Sequence, residues 1–127
     1  MGIPKILVVD DEPDVVELLQ NTLKTEGFEV VSAYDGIGAL DVAGTERPDL
    51  VLLDIMMPMM SGYEVCSQLK SNPDTKDIPV ICVSSAHSPD ARTNALRAGA
   101  ATLITKPFMS AELVAQIRRY LRVAEPA

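Results

Sequence analysis

An α/β fold built on a five-stranded parallel sheet is what this sequence predicts. Three observations carry the prediction. Short apolar runs alternate with helical patterns five times along the chain. Three of the runs, KILVV (5–9), LVLLD (50–54) and PVICVS (79–84), are almost wholly apolar, as strands covered on both faces are. Strict strand–helix alternation also calls for crossover connections, which set parallel strands side by side with helices above and below.

The elements follow in order. KILVV ends in the acidic stretch Asp10, Asp11, Glu12 and Asp14. Pro13 suits a first helical turn, Val15, Leu18, Leu19 and Leu23 follow at helical spacing, and Gly27 stops that helix. FEVVSA (28–33) reads as the second strand. A weaker helix spans 36–45, where Gly36, Gly38 and Gly44 lower its propensity. After LVLLD, a helix over 62–71 carries Val65, Cys66 and Leu69 on one face. PVICVS is followed by a helix over 89–98, from Pro89 to Gly99. TLIT (102–105) is the fifth strand, and the last helix starts after Ser110 with Leu113, Val114, Ile117 and Leu121 at amphipathic spacing.

A chain of 127 residues fits one domain: residues 1–123 read as the folded unit and 124–127 as a tail or truncated linker. A hydrophobic fraction of 47% with 23% charged residues is ordinary for a soluble globular protein. The net charge of −7 argues against nucleic acid or an anionic membrane as a direct partner, and it permits a cation or a basic patch on another protein. No apolar run reaches bilayer length. Cys66 and Cys82 are too few for a disulfide framework and sit in apolar surroundings, which predicts core thiols in a reducing cytoplasm.

In open parallel sheets, ligands bind at the carboxyl ends of the strands. The first strand ends in Asp10 and Asp11, the third in Asp54, the fourth in Ser84 and Ser85, and the fifth in Thr105, Lys106 and Pro107. Strand packing explains none of these. Asp10, Asp11 and Asp54 make an all-oxygen donor set, which suits magnesium. Lys106 adds a positive charge on the far side, and a phosphoryl group between cation and lysine would satisfy both. Taken singly, Asp11 or Glu12 reads as a helix N-cap, Ser85 as an ordinary hydroxyl and Lys106–Pro107 as a turn. Meeting at one rim, they read as a site.

These segments resemble the receiver domain of bacterial two-component response regulators, from KILVVDDEPD through PDLVLLDIMMPMMSGYEV and IPVICVSSAH to AGAATLITKPF. The resemblance implies a flavodoxin-like (βα)5 fold with strand order 2-1-3-4-5. It also implies a phosphoacceptor switch that takes a phosphoryl group from a sensor histidine kinase or histidine phosphotransfer protein. Asp54 matches the phosphoacceptor, and Asp11 the direct magnesium ligand. Asp10 matches the acid that reaches the ion through water, and Met56 the position whose backbone carbonyl completes the ligands. Lys106 matches the lysine that pairs with Asp54 and then with the phosphate, its bond to Pro107 being cis. Ser85 matches the switch hydroxyl, with Ser84 as the neighbouring alternative. Met56 and His87 match two positions at the mouth of the site that tune attack of water on the acyl phosphate. Such a domain catalyses its own phosphorylation and dephosphorylation and signals to an output domain or target protein.

Three departures stand out. The switch position three before the lysine is usually aromatic and is Leu103 here. The loop MMPMMSG carries Met59 and Ser61 where the family commonly has a glycine and an acid; at least half of its methionines are expected to fill the core. GAATLITKP lacks the acidic residue that winged-helix relatives often carry, which counts against their symmetric dimer. The alternative to a phosphoacceptor is a pseudo-receiver, a binding module without the chemistry. An aspartate-nucleophile phosphatase would want an acid at Met56, and a flavodoxin would want a Ser/Thr/Gly phosphate loop where DDEPD stands.

Overall fold

In the computed structural model, residues 2–85 and 89–124 are described. The chain runs β1 (Lys5–Val9), α1 (Pro13–Thr25), β2 (Glu29–Ala33), α2 (Gly36–Glu46), β3 (Leu50–Asp54), α3 (Gly62–Ser71), β4 (Val80–Ser84), α4 (Pro89–Arg97), β5 (Thr102–Thr105) and α5 (Ser110–Ala124). All strand pairs are parallel, and the sheet order is β2-β1-β3-β4-β5. The flavodoxin-like fold expected from the sequence is therefore the observed one. α5 includes Ala124, the first residue of the expected tail, and 125–127 lie outside the described residues.

The alternation of side chains along each strand explains the apolar runs. On β1, Leu7 and Val9 enter one core cluster while Ile6 and Val8 enter the other. On β3, Val51 and Leu53 divide from Leu50 and Leu52 in the same way. One cluster is closed by α2, α3 and α4, the other by α1 and α5. Both faces must therefore be apolar, and each fully buried Val, Leu or Ile contributes about 1.5–3 kcal/mol.

Helix ends follow local chemistry. Asp35 caps α2 by accepting the Gly38 N–H at 2.7 Å, and Ser61 caps α3 by accepting the Glu64 N–H at 3.3 Å. Gly27, at φ +92°, takes the left-handed turn that ends α1. One face reading needs correction. Val15, Leu18, Leu19 and Leu23 were read at helical spacing, but α1 buries Val16, Leu19 and Leu23, Val15 packs half-buried against that cluster, and Leu18 is 66% exposed. Positions 16, 19 and 23 fall on one stripe of a 3.6-residue helix, while 15 and 18 lie on its flank. The other apolar faces hold: Val65, Cys66 and Leu69 on α3, and Leu113, Val114, Ile117 and Leu121 on α5, are all buried.

Candidate functional site

The order of the sheet reverses direction between β1 and β3, and their carboxyl ends form the switch point where ligands bind in such folds. β1 delivers Asp10 there. Its N–H still donates to Ala33 O at 3.3 Å, so the ladder holds the residue and its side chain is buried. Asp10 Oδ1 accepts the Glu12 N–H at 3.0 Å, and Oδ2 accepts from Lys106 Nζ at 3.3 Å.

Asp11 is half-buried and Glu12 exposed. Carboxylate oxygens of Asp10, Asp11 and Glu12 all lie within 4.8 Å of one another. Glu12 occupies the N-cap of α1, yet its side chain makes no capping bond. A plain cap does not explain it; the sequence signal was its adjacency to two other acids. All these donors are oxygens, and together with Asp54 they outnumber the one lysine that pairs with Asp10 and Asp54. A donor set of that kind fits a hard divalent cation.

β3 delivers Asp54, which is 6% exposed and stands level with Val83 on β4. Lys106 Nζ is 3.7 Å from its Oδ1, and the Met56 N–H donates to its carboxylate. Burial, and then the negative charge of Asp10, push the Asp54 carboxyl up to about 6; Lys106 and the Met56 N–H pull the other way, and Asp11 adds a smaller push. The backbone beyond it is packed closely. Gly62 donates its N–H to Ile55 O at 2.9 Å, and a Cβ on Gly62 would sit 2.5 Å from Asp54 O and 2.6 Å from Ile55 Cα. Only glycine allows α3 to start this near the end of β3.

β5 delivers Lys106 from the other side. Its N–H donates to Ser84 O at 2.7 Å, the Lys106–Pro107 peptide is cis as expected, and the ammonium reaches back to both aspartates. Ser84 is buried at the end of β4, whereas Ser85 is exposed and lies on the rim with Lys106. Leu103 is buried in the core beside its register partner Cys82, away from the rim. The methionines divide evenly: Met57 is buried and Met60 packs against the core, while Met56 and Met59 are 61% and 103% exposed. His87 lies outside the described residues.

The rim opens into an apolar groove of ≈ 580 Å³ between α1 and the start of α5. Val15, Leu18 and Leu19 form one wall, Pro107, Phe108 and Leu113 the other, with Ser85 and Lys106 at its head. The outward Leu18 forms part of this groove's wall.

The family model of the response regulator receiver domain matches residues 6–118. The chain belongs to that family. Response regulator MprA of Mycobacterium avium (strain 104) is 43% identical over 122 residues, covering 96% of this chain and 53% of that protein. MprA of Mycobacterium tuberculosis (strain ATCC 25177 / H37Ra) is 42% identical over 122 residues, again 96% of this chain and 52% of that protein. This receiver thus spans about half the length of the curated relatives it matches.

Solved receivers share its shape. Vibrio cholerae chemotaxis protein CheY4 superposes with a TM-score of 0.88 at 30% identity, covering 93% of this chain and 98% of that one. The receiver domain of sensor histidine kinase PA1611 from Pseudomonas aeruginosa PAO1, described with a magnesium ion coordinated in its active site cleft, gives 0.87 at 28% identity, covering 95% and 99%. Among the described residues of this receiver, no helix is long and apolar enough to cross a membrane.

Proposed function

We propose that this receiver is a cytoplasmic phosphoacceptor switch, one folded unit whose partner surface changes when Asp54 is phosphorylated. One observation carries the reading: a buried carboxylate at the end of β3, with Lys106 Nζ 3.7 Å away and the Asp10 and Asp11 carboxylates beside it. The Asp54 oxygen attacks the phosphorus of a phosphohistidine on a sensor kinase or phosphotransfer protein. The new P–O bond forms as the N–P bond breaks, leaving an acyl phosphate. Magnesium would be held by Asp11, Asp54 and the Met56 carbonyl, with Asp10 reaching it through water; when bound, it neutralises phosphoryl charge.

Lys106 is already drawn toward Asp54, so it meets the phosphoryl oxygens without rearrangement. Ser85 supplies the switch hydroxyl, being the accessible one of the serine pair. Leu103 offers no hydroxyl or ring to follow it, so the change reaches α4, β5 and α5 by repacking alone. Met56 and His87 tune how long the acyl phosphate lasts. The groove headed by Ser85 and Lys106 receives the phosphodonor protein, because a donor that brings its phosphohistidine to Asp54 must rest on that rim. The output domain or target is read out from the changed face. A pseudo-receiver would have no use for acids, lysine and hydroxyl at one rim.

The test is intact mass after incubation with acetyl phosphate and magnesium. One phosphoryl group is expected on the wild type and none on Asp54→Asn. Undiminished incorporation in that variant overturns the assignment.

A further inference from the structure

The core cluster under α3 and α4 contains two thiols, Cys66 on α3 and Cys82 on β4, both with 0% exposure. Their side chains hydrogen-bond to each other, and Cys66 Sγ also donates to Ala98 O, 3.5 Å away at the end of α4. Cys82 is the register partner of Leu103 in the same cluster. Cys82 therefore adjoins the centre of β5, and Cys66 the C-terminal end of α4.

α4 is a thin cover. Its buried residues are Ala91 and Ala95, whose single methyl groups bury little apolar surface. Polar clips do much of the holding: Tyr63 Oη donates to Ala91 O at 3.4 Å, Arg92 donates to Leu103 O at 3.2 Å, and Cys66 donates to Ala98 O. Local opening of a helix seated on such small side chains would admit a small oxidant.

We propose that Cys66 and Cys82 form an intramolecular disulfide on exposure to hydrogen peroxide, and that the bond frees the end of α4 by removing the Cys66 hydrogen bond to Ala98. Cys66 attacks first. The hydrogen bond from Cys82 and the Lys70 ammonium favour its thiolate, whereas the shared hydrogen bond and burial push the Cys82 thiol up. The Cys66 thiolate attacks one peroxide oxygen, the O–O bond breaks, and the departing hydroxide leaves as water with the Cys66 proton. The Cys82 sulfur then attacks the Cys66 sulfenic acid; the S–S bond forms, the S–O bond breaks, and a second water leaves with the Cys82 proton. The thiols lose two electrons and two protons, and the peroxide becomes two waters. Nothing in this chemistry depends on phosphorylation.

The test uses the whole folded, reduced chain treated with hydrogen peroxide, followed by peptide mapping and amide exchange. The Ala98 and Gly99 amides, bonded to Asn94 O and Leu96 O, report on the end of α4. A monomer lighter by two hydrogens, with the Cys66 and Cys82 peptides linked and those amides exchanging about tenfold faster, is expected. Cys82→Ser should form no link, and Cys66→Ala should speed the same amides without oxidant. Oxygenated sulfur without linkage, linkage between chains, linkage only in denaturant, or unchanged exchange in the linked protein or in Cys66→Ala would each overturn the proposal.

Discussion

Lys106 Nζ stands 3.7 Å from Asp54 Oδ1, yet this pairing does not keep Asp54 in the ordinary carboxylate range. The lysine is shared, lying nearer to Asp10 at 3.3 Å. Burial and the Asp10 charge outweigh what remains of its pull, and the Asp54 carboxyl rises from 3.8 to about 6.

That shift has a sign. Between pH 3.8 and about 6 the folded state keeps a proton that the unfolded chain has lost, so stability falls as pH rises through that window. The deficit is complete above about 6 and corresponds to about 3 kcal/mol by linkage. Asp54→Asn removes the charge but also one partner of Lys106, so a gain of about 1–3 kcal/mol at neutral pH is expected, shrinking toward pH 4. Urea unfolding of both proteins across that range measures it. A variant no more stable than wild type at pH 7 contradicts the electrostatic account.

Magnesium should relieve the same crowding. It is expected to raise the melting temperature more at pH 7.5, where Asp54 is ionised, than at pH 5. Asp11→Asn should weaken this response more than Asp10→Asn, because Asp10 is already engaged by Lys106 and the Glu12 N–H. Equal losses in the two variants would remove the ranking.

Much of this site was legible because the residues that carry it break a pattern. Charges at the ends of apolar strands cannot be packing residues, so Asp10, Asp54 and Lys106 announce themselves. Pro13, Gly27 and Ser110 mark helix limits for steric and capping reasons that need no tertiary structure. The face of α1 was read less well. Val15, Val16, Leu18 and Leu19 are apolar together, and only the packed sheet decides which of them turn outward. Glu12 was equally ambiguous, since a cap and a ligand have the same sequence signature. The Met56–Met60 loop hid its division, because which thioether meets Gly36, as Met60 does, depends on how two loops cross.

Met59 sits at φ +71°, a left-handed conformation, and is fully exposed. Met59→Gly gives up no packing and relieves a backbone cost of about 1–2 kcal/mol, partly offset by glycine's greater unfolded-state entropy. A net gain of about 0.5–1 kcal/mol is expected in thermal or urea unfolding. A loss of stability would mean that the side chain has a contact that matters.

Leu18 is exposed on the wall of the groove beside the site, so a charged replacement leaves the core intact. Leu18→Asp should slow phosphotransfer from a histidine kinase by about tenfold or more, the loss typical of a central apolar contact. Phosphorylation by acetyl phosphate should be unchanged, because that donor needs no docking surface. Equal effects on both donors would locate the defect in the site rather than in recognition.

Met56 is expected to set the lifetime of the phosphorylated state through its place at the mouth. Its backbone N–H is committed to the Asp54 carboxylate, while its side chain is 61% exposed. A thioether in that position covers the phosphorus but neither donates a hydrogen bond nor orients an attacking water. Met56→Asn keeps the backbone donor and introduces an amide able to hold a water for in-line attack. Autodephosphorylation should then accelerate by roughly threefold to tenfold, since one oriented water is gained without a general base. The measurement is decay of the phosphorylated mass after the donor is removed. Met59→Asn serves as the control, because its side chain is exposed without a bond to Asp54. Acceleration in Met56→Asn alone assigns the effect to the mouth of the site, and equal lifetimes in all three proteins would leave Met56 as a surface residue only.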